Sequence, residues 1–489
     1  MTDHSMTQRD SVASRLAEKI CGFGRPNWTP RALLQARTSI IDTIGVTLAG
    51  MGEACARLLL ETPGIAEAPG ASLIFGTDRR TGALDAALVN GTASHALDYD
   101  DVSGVMGGHP SAPLVAPLFA LAEARNISGE RLISAYMVGV ETEIRLARAV
   151  HHHHYDKGWH PTSTLGTFGA AAAASHLIGL DAQRTAIALA VAASLAAGLK
   201  ANFGTMTKPL HIGQCGRNGL FAALLAERGF DANPDVFEHR QGFFNVFNGP
   251  GEFDAECALA DWGEPLEIEA DSIGLKQFPC CGSTHPAIAM MLDLVREEGF
   301  GPDDVAHIEI LAHPRRLPHT DNPDPRSPLA AKFSIQYVTA RALVSGAVRL
   351  EHFERDACLD PAIRRVLALT EARPHPDMPG RAPKQWGAEV VVTLEDGRRL
   401  SRRVDEMVGR GGGNPMTAGE LWEKFRDCAE RALPREQVAP LFDRLETLEC
   451  VPDIGHVARL LEVRALPAAK PARMKVAASD PAPETTWVP

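Results

Sequence analysis

The stretch AEVVVTLEDGRRLSRRV, residues 388–404, holds two β-rich runs on either side of Asp396-Gly397. Aspartate followed by glycine suits a two-residue turn with positive φ, so the stretch predicts an antiparallel hairpin. Upstream, DDVAHIEILAHP (303–314) alternates Ile308, Ile310 and Ala312 with polar neighbours, the period of a strand buried on one face. Strands this distinct in a chain otherwise dominated by helical periods decide the fold class. The expected fold is mainly α, a large helical domain with a smaller α+β domain inserted in it.

The helical period governs the chain up to about residue 265. TPRALLQARTSIIDTIGVTLAG opens with Thr29 as N-cap and Pro30 at the first helical position and closes on Gly50. Helices are likewise expected after Ser128 and Asp181, rich in alanine and glycine and so able to pack closely. Helices return at Thr417, where Thr417 and Glu420 have capping-box spacing, just after the glycine-rich GRGGGNP. The expected domains are therefore 1–268 (helical, first part), 269–410 (α+β lid), 411–465 (helical, second part) and a mobile tail, 466–489. A crevice between two such domains is a favoured place for a small-molecule site.

With 489 residues, 45% hydrophobic and 22% charged, the chain has the balance of a folded globular protein. A net charge of −12 disfavours nucleic acid and anionic membranes as partners. The nine cysteines are dispersed and form no Cys-x-x-Cys pair, so they read as reduced thiols. No apolar run reaches membrane-spanning length, and the N-terminus lacks a signal-peptide core; the expected location is the cytoplasm. Dinucleotide and P-loop glycine motifs are absent. The His151–His154 run lacks the fixed ligand spacing of a zinc site and reads as an exposed loop.

Four stretches could carry chemistry. In NGTASHALDYDDVSGVMGGHPSAP (90–113), Asn90, Ser94, Asp98 and Asp101 would form one polar stripe if helical, and His109 precedes a helix-starting proline. A calcium or magnesium site from Asp98, Asp100 and Asp101 lacks EF-hand spacing. In GWHPTSTLGTFGAAAAASHLIGL (158–180), His160 stands at another helix start, ahead of small residues that leave room for a ligand or for tight packing. In TMTKPLHIGQCGRNG (205–219), Lys208 shares a helix start with free backbone N–H groups, an arrangement that suits an anion. The fourth, GLKQFPCCGSTHP (274–286), offers Lys276, Cys280, Cys281 and His285; neighbours this close rarely align as a Cys–His nucleophile. Tyr337, in FSIQYV, is either a packed aromatic or a phenolic proton donor.

Taken together and in order, ALDYDD…GGHPSAP, GWHPTSTLGTFGAAAAAS, TKPLHIGQCGRNG, LKQFPCCGSTHP and FSIQYV resemble the MmgE/PrpD family, over residues 12–465. That family includes 2-methylcitrate dehydratase, cis-aconitate decarboxylase and iminodisuccinate epimerase. The resemblance implies a helical domain with an α+β lid, usually as a homodimer, acting on a small di- or tricarboxylate without metal or organic cofactor. It also implies pocket residues at Asp98, His109, His160, Lys208, Lys276 and Tyr337. Val102 stands where the decarboxylase branch has threonine, and the dehydratase branch's DFNDTW stretch is absent.

The chemistry expected of such a pocket is proton transfer at carbon beside a carboxylate. Asp98, His109, His160 and Tyr337 are the expected catalytic groups, with Asp98 orienting a histidine; Lys208, Lys276 and His285 are expected to bind substrate. The first expectation is a lyase that dehydrates a hydroxylated di- or tricarboxylate. The alternatives are an epimerase or a decarboxylase using the same pocket, or a non-catalytic carboxylate-binding protein.

Overall fold

A computed structural model describes residues 11–270, 273–378, 386–405 and 415–463. The expected tail 466–489 and residues 409–414 of the glycine-rich stretch lie outside the described residues. Among the described residues the first part of the chain supplies nine α-helices: α1 Val12–Gly22, α2 Pro30–Gly50, α3 Ala54–Glu61, α4 Ala83–His95, α5 Ala112–Ala124, α6 Gly129–Asp156, α7 Pro161–Ile178, α8 Ala182–Leu195 and α9 Thr207–Glu227. A short hairpin, β1 Ser72–Leu73 with β2 Arg80–Thr81, lies between α3 and α4. Caps that the sequence predicted are formed: Thr29, Ser128 and Asp181 each accept a backbone N–H at the start of their helix.

α7 has no polar face, and from Pro161 to Ser175 every residue is buried. Its alanines let α6, α8 and α9 close around it, the arrangement of a helix enclosed on all sides. α4 and α9 approach still more closely. A Cβ on Gly213 would lie 2.1 Å from the Leu88 carbonyl oxygen, so only glycine permits this crossing. That contact sets the start of α9 against the end of α4, where the candidate site lies.

The lid contains α10 His285–Glu298, β3 Val305–Ala312, α11 Pro328–Lys332, α12 Ile335–Ser345, α13 Pro361–Leu367, β4 Thr370–Pro374, β5 Ala388–Leu394 and β6 Arg399–Val404. Its sheet runs β4-β3-β5-β6, parallel between β3 and β4 and otherwise antiparallel. β5 and β6 are the hairpin predicted around Asp396-Gly397, and Gly397 takes φ +87° in its turn. Ile308, Ile310, Val390 and Val392 bury one face under α10 and α12, while Arg399, Arg402 and Arg403 charge the edge strand.

The chain then returns to the helical body through α14 Ala418–Ala429, α15 Arg435–Glu446 and α16 Gly455–Leu461. The Thr417/Glu420 capping box opens α14. One hydrophobic core joins residues between Val12 and Leu275 with others between Leu421 and Val463, and a second joins Phe278 to Leu394 within the lid. Among the described residues no single helix is long and apolar enough to cross a membrane.

Candidate active site

The site forms where the end of α4, the start of α7 and the start of α9 meet the extended segment leading into the lid. α4 stops at His95, so Asp98 is not on the helical stripe expected from its spacing with Asn90 and Ser94. Asp98 instead takes a left-handed turn, φ +54°, which aspartate tolerates better than most residues. The turn brings its carboxylate and its carbonyl to one side. Lys276 Nζ lies 3.1 Å from Asp98 Oδ2 and donates to the Asp98 carbonyl at 2.5 Å. Lys208, in the first turn of α9, reaches Asp98 Oδ1 at 2.7 Å.

Two ammonium groups therefore share one carboxylate. Burial opposes ionisation of Asp98, but Lys208 and Lys276 outweigh it and hold its carboxyl well below the usual range. Burial would likewise neutralise Lys276, yet Asp98, with Asp100 adding to it, holds its ammonium above the ordinary lysine value. Asp98, His109 and Lys208 keep 19%, 12% and 16% of their side-chain surface exposed against 3% for Lys276, so the cluster opens to solvent on the Lys208 side.

Lys276 is fixed by backbone ties. Val102 and Gly274 exchange two backbone hydrogen bonds, 2.9 and 2.8 Å, and this bridge lays the Lys276 strand beside Asp98. Behind it Lys424 of α14 donates to the carbonyls of Tyr99 and Lys276, at 2.9 and 2.8 Å, and pairs with the buried Asp42 at 2.6 Å.

His109 sits in the loop between α4 and α5, and α5 begins at Ala112, two residues beyond the expected proline start. Its backbone N–H donates to Thr162 Oγ1 of α7 at 3.0 Å. The side chain lies between two acids: Nε2 is 3.7 Å from Asp98 Oδ1 and Nδ1 is 3.2 Å from Asp100 Oδ2. Asp100 thus orients His109 more closely than Asp98 does, and it also holds His95, whose Nδ1 is 2.8 Å from the same oxygen. Burial resists the Asp100 charge, but His109 and His95 keep its carboxyl well below the usual range. Burial drives His95 the other way, to about 4, so its neutral ring donates Nδ1–H to Asp100. Asp101, expected on the same stripe, points elsewhere and accepts from the Ser111 backbone N–H at 3.1 Å.

His160 caps α7, with Pro161 at the first helical position as expected, and is 2% exposed. Its ring lies 5.9 Å from that of His95, edge-on to Phe203 at 4.8 Å, and its Nδ1 is 3.2 Å from Nδ1 of His211. Burial, then the positive potential of His95, Lys208, His109 and His211, holds His160 well below the usual histidine value. Four imidazoles, His109, His95, His160 and His211, consequently run in a row through the site.

Two expected residues do not join this cluster. Tyr337 is fully buried in the lid core, where its hydroxyl binds the His352 carbonyl and accepts from Arg341 Nε at 3.0 Å. Its motif is a helix start, capped by Ser334, and the periodicity of α12 turns the ring inward. His285 opens α10 but faces the lid core, 5.2 Å from the Phe278 ring, with Nε2 unpaired and its pKa lowered to about 3 by burial and then by Lys276. Cys280 is also buried, and its nearest polar contact is Thr284 Oγ1 at 3.3 Å, not His285.

Sequence reasoning missed His95, the carboxylate role of Asp100, and His211. His211 left a signal, following Lys208 by one helical turn on the same face, whereas His95 and Asp100 left none that a helical period carries. His95, Asp98, Asp100 and His109 also offer four ligand atoms within 4.8 Å of one another, a spacing that a metal ion could use. The charge of Asp98 is already met by two ammonium groups, which compete with a cation for that carboxylate.

Family models for the MmgE/PrpD N-terminal and C-terminal domains match residues 14–256 and 278–446. The chain belongs to the MmgE/PrpD family. It is 31% identical to human cis-aconitate decarboxylase, over 92% of this chain and 95% of that protein, and 31% identical to the mouse enzyme, over 92% and 93%. The cis-aconitate decarboxylase of Aspergillus terreus is 25% identical over 93% and 96%. These relatives are carboxy-lyases, and this MmgE/PrpD protein is an enzyme of the lyase class. The sequence reading placed dehydration first and decarboxylation among the alternatives; the relatives favour the alternative.

Proposed function

We propose that this MmgE/PrpD lyase decarboxylates a small unsaturated tricarboxylate of the cis-aconitate type. The observation that carries the reading is the paired ammonium site of Lys208 and Lys276, in a chain that matches cis-aconitate decarboxylases over nine-tenths of its length. Substrate carboxylates compete with Asp98 for the two lysines, so Asp98 holds the ammonium groups in place before substrate arrives and yields part of their charge to it.

In such an acid the bond to the departing carboxylate breaks and its electron pair becomes a new C=C bond. The pair of the old double bond moves to the carbon beside a retained carboxylate, and a proton completes the product. Lys208 and Lys276 stabilise the charge on that carboxylate as it grows, which is where fixed cations lower a barrier most. His160 supplies the proton from Nε2, an atom that bonds no described protein group. His109, aligned by Asp100, orients the substrate against the ammonium pair.

The test is to incubate purified protein with cis-aconitate and follow CO₂ release together with product formation by NMR. No CO₂ release, with water lost from 2-methylcitrate instead, would replace this reading by the dehydratase one. The homodimeric state and cytoplasmic location expected from the sequence belong to the same proposal, and light scattering of the purified protein tests the first.

A further inference from the structure

Resting on the decarboxylase reading, we infer that His211 is the proton-relay partner of His160, passing its Nδ1 proton to His160 Nδ1 as the Nε2 proton goes to the substrate carbon, so that a neutral His160 can serve as the acid. Loss of CO₂ from a carboxylate and replacement of the carboxylate by hydrogen takes up one proton per turnover. His160 is 2% exposed, and a neutral imidazole that lost its Nε2 proton with nothing in return would become a buried anion. His211 is only part-buried, its Nε2 bonds no described protein group, and that atom is not among the buried unpaired ones, so it meets solvent.

The contact between the rings constrains where protons sit. At 3.2 Å one Nδ1 must carry hydrogen and the other must present its lone pair, since two N–H groups would collide and two lone pairs would repel. With His160 as the Nε2–H tautomer, His211 donates Nδ1–H to His160 Nδ1. As the substrate carbon takes the Nε2 proton, the Nδ1 proton of His211 passes to His160 and water protonates His211 at Nε2. Atoms balance: one proton leaves solvent, one arrives at carbon, and His160 remains neutral. Once the site opens, water protonates His160 Nε2, the Nδ1 proton returns to His211 and His211 Nε2 releases its proton to water, which restores the starting tautomers.

The second histidine is held for this purpose. The His211 carbonyl accepts from Ser163 Oγ of α7 at 3.2 Å, and the His160 N–H donates to Gly198 O at 3.0 Å, so both rings are anchored through their backbones. His211 acts through His160 and is a positioning and relay residue.

The experiment pairs His211→Asn with a proton inventory on the unaltered enzyme, using cis-aconitate as substrate and CO₂ release as the rate. Asparagine can still donate to His160 Nδ1 but cannot be reprotonated, so kcat is expected to fall about 10²-fold with KM unchanged. Added imidazole is expected to restore much of the loss, and the wild-type rate should curve with deuterium fraction because two protons move together. A wild-type rate in His211→Asn, a loss that imidazole does not rescue, or a linear inventory overturns the relay. Should the variant fail to fold, the inventory still decides. Absence of CO₂ release from the wild type overturns the decarboxylase reading and the relay with it, whereas release with a linear inventory overturns the relay alone.

Discussion

Lys208 Nζ lies 2.7 Å from Asp98 Oδ1, so the first turn of α9 and the turn after α4 meet through a charge-assisted hydrogen bond at the mouth of the site. The same carboxylate also holds Lys276, so losing Asp98 strands two ammonium groups, and losing Lys208 halves the positive charge offered to a substrate carboxylate. Asp98→Asn and Lys208→Ala are each expected to lower kcat/KM about 10²–10³-fold while circular dichroism stays unchanged. Near-normal turnover in both variants would contradict the site.

Asp100 Oδ2 is hydrogen-bonded to His95 Nδ1 and lies 3.2 Å from His109 Nδ1, and an amide cannot face both rings with the same polarity. Asp100→Asn forces at least one of His95 and His109 into a different tautomer or ring orientation. The expected outcome is a loss in kcat of about 10²-fold with a smaller change in KM, measured by steady-state kinetics.

Burial, with Lys276 adding to it, lowers the His285 pKa to about 3 in the folded chain, against ~6.5 when unfolded. The folded state therefore binds fewer protons between those values. The contribution of His285 to stability is fully present above about pH 6.5 and is lost as pH falls toward 3. His285→Phe removes that linkage, so its urea midpoint should fall less steeply than the wild-type midpoint between pH 6.5 and pH 4. Turnover by this variant should continue, because the ring packs in the lid core. Parallel midpoint curves for the two proteins would refute the linkage.

Tyr337→Phe separates a packed aromatic from a proton donor. Its hydroxyl serves the His352 carbonyl and Arg341, so the variant is expected to lose about 1–3 kcal/mol of stability by denaturant titration. Its kcat is expected to match the wild type; a kinetic defect without a stability defect would return Tyr337 to the chemistry.

Gly213→Ala tests the helix crossing that aims Lys208. The added Cβ would meet the Leu88 carbonyl oxygen at 2.1 Å, so α9 must shift away from α4. A shift of about 1 Å in a positioning element costs on the order of 10²-fold in rate, and the expected readout is a fall in kcat/KM with a lowered melting temperature.

Much of this molecule was legible before its coordinates. The hairpin at 388–404 announced the lid, and the caps at Thr29, Ser128, Asp181 and Thr417 marked helix starts because capping chemistry is local. His160 and Lys208 could be picked out because a nearby proline fixes a helix start. Asp98 was found for a geometry it does not have: the stripe from Asn90 assumed that α4 continued, and α4 ends at His95. His285 and Tyr337 belong to motifs that build the lid core, and a motif does not say which way a side chain turns. His95 and Asp100 were hidden because their partnership depends on a loop folding back over a helix end, which no periodicity encodes.

Lys424 ties together the neighbourhoods of residues 42, 99 and 276 from a helix near the far end of the chain. A nascent polypeptide still lacking α14 already contains Asp98, His109, His160, Lys208, His211 and Lys276, yet nothing fastens the Tyr99 and Lys276 carbonyls to a common point. Competence is thus deferred until α14 has been made, and a fragment stopped short of Lys424 should be inert although it has every group the chemistry uses.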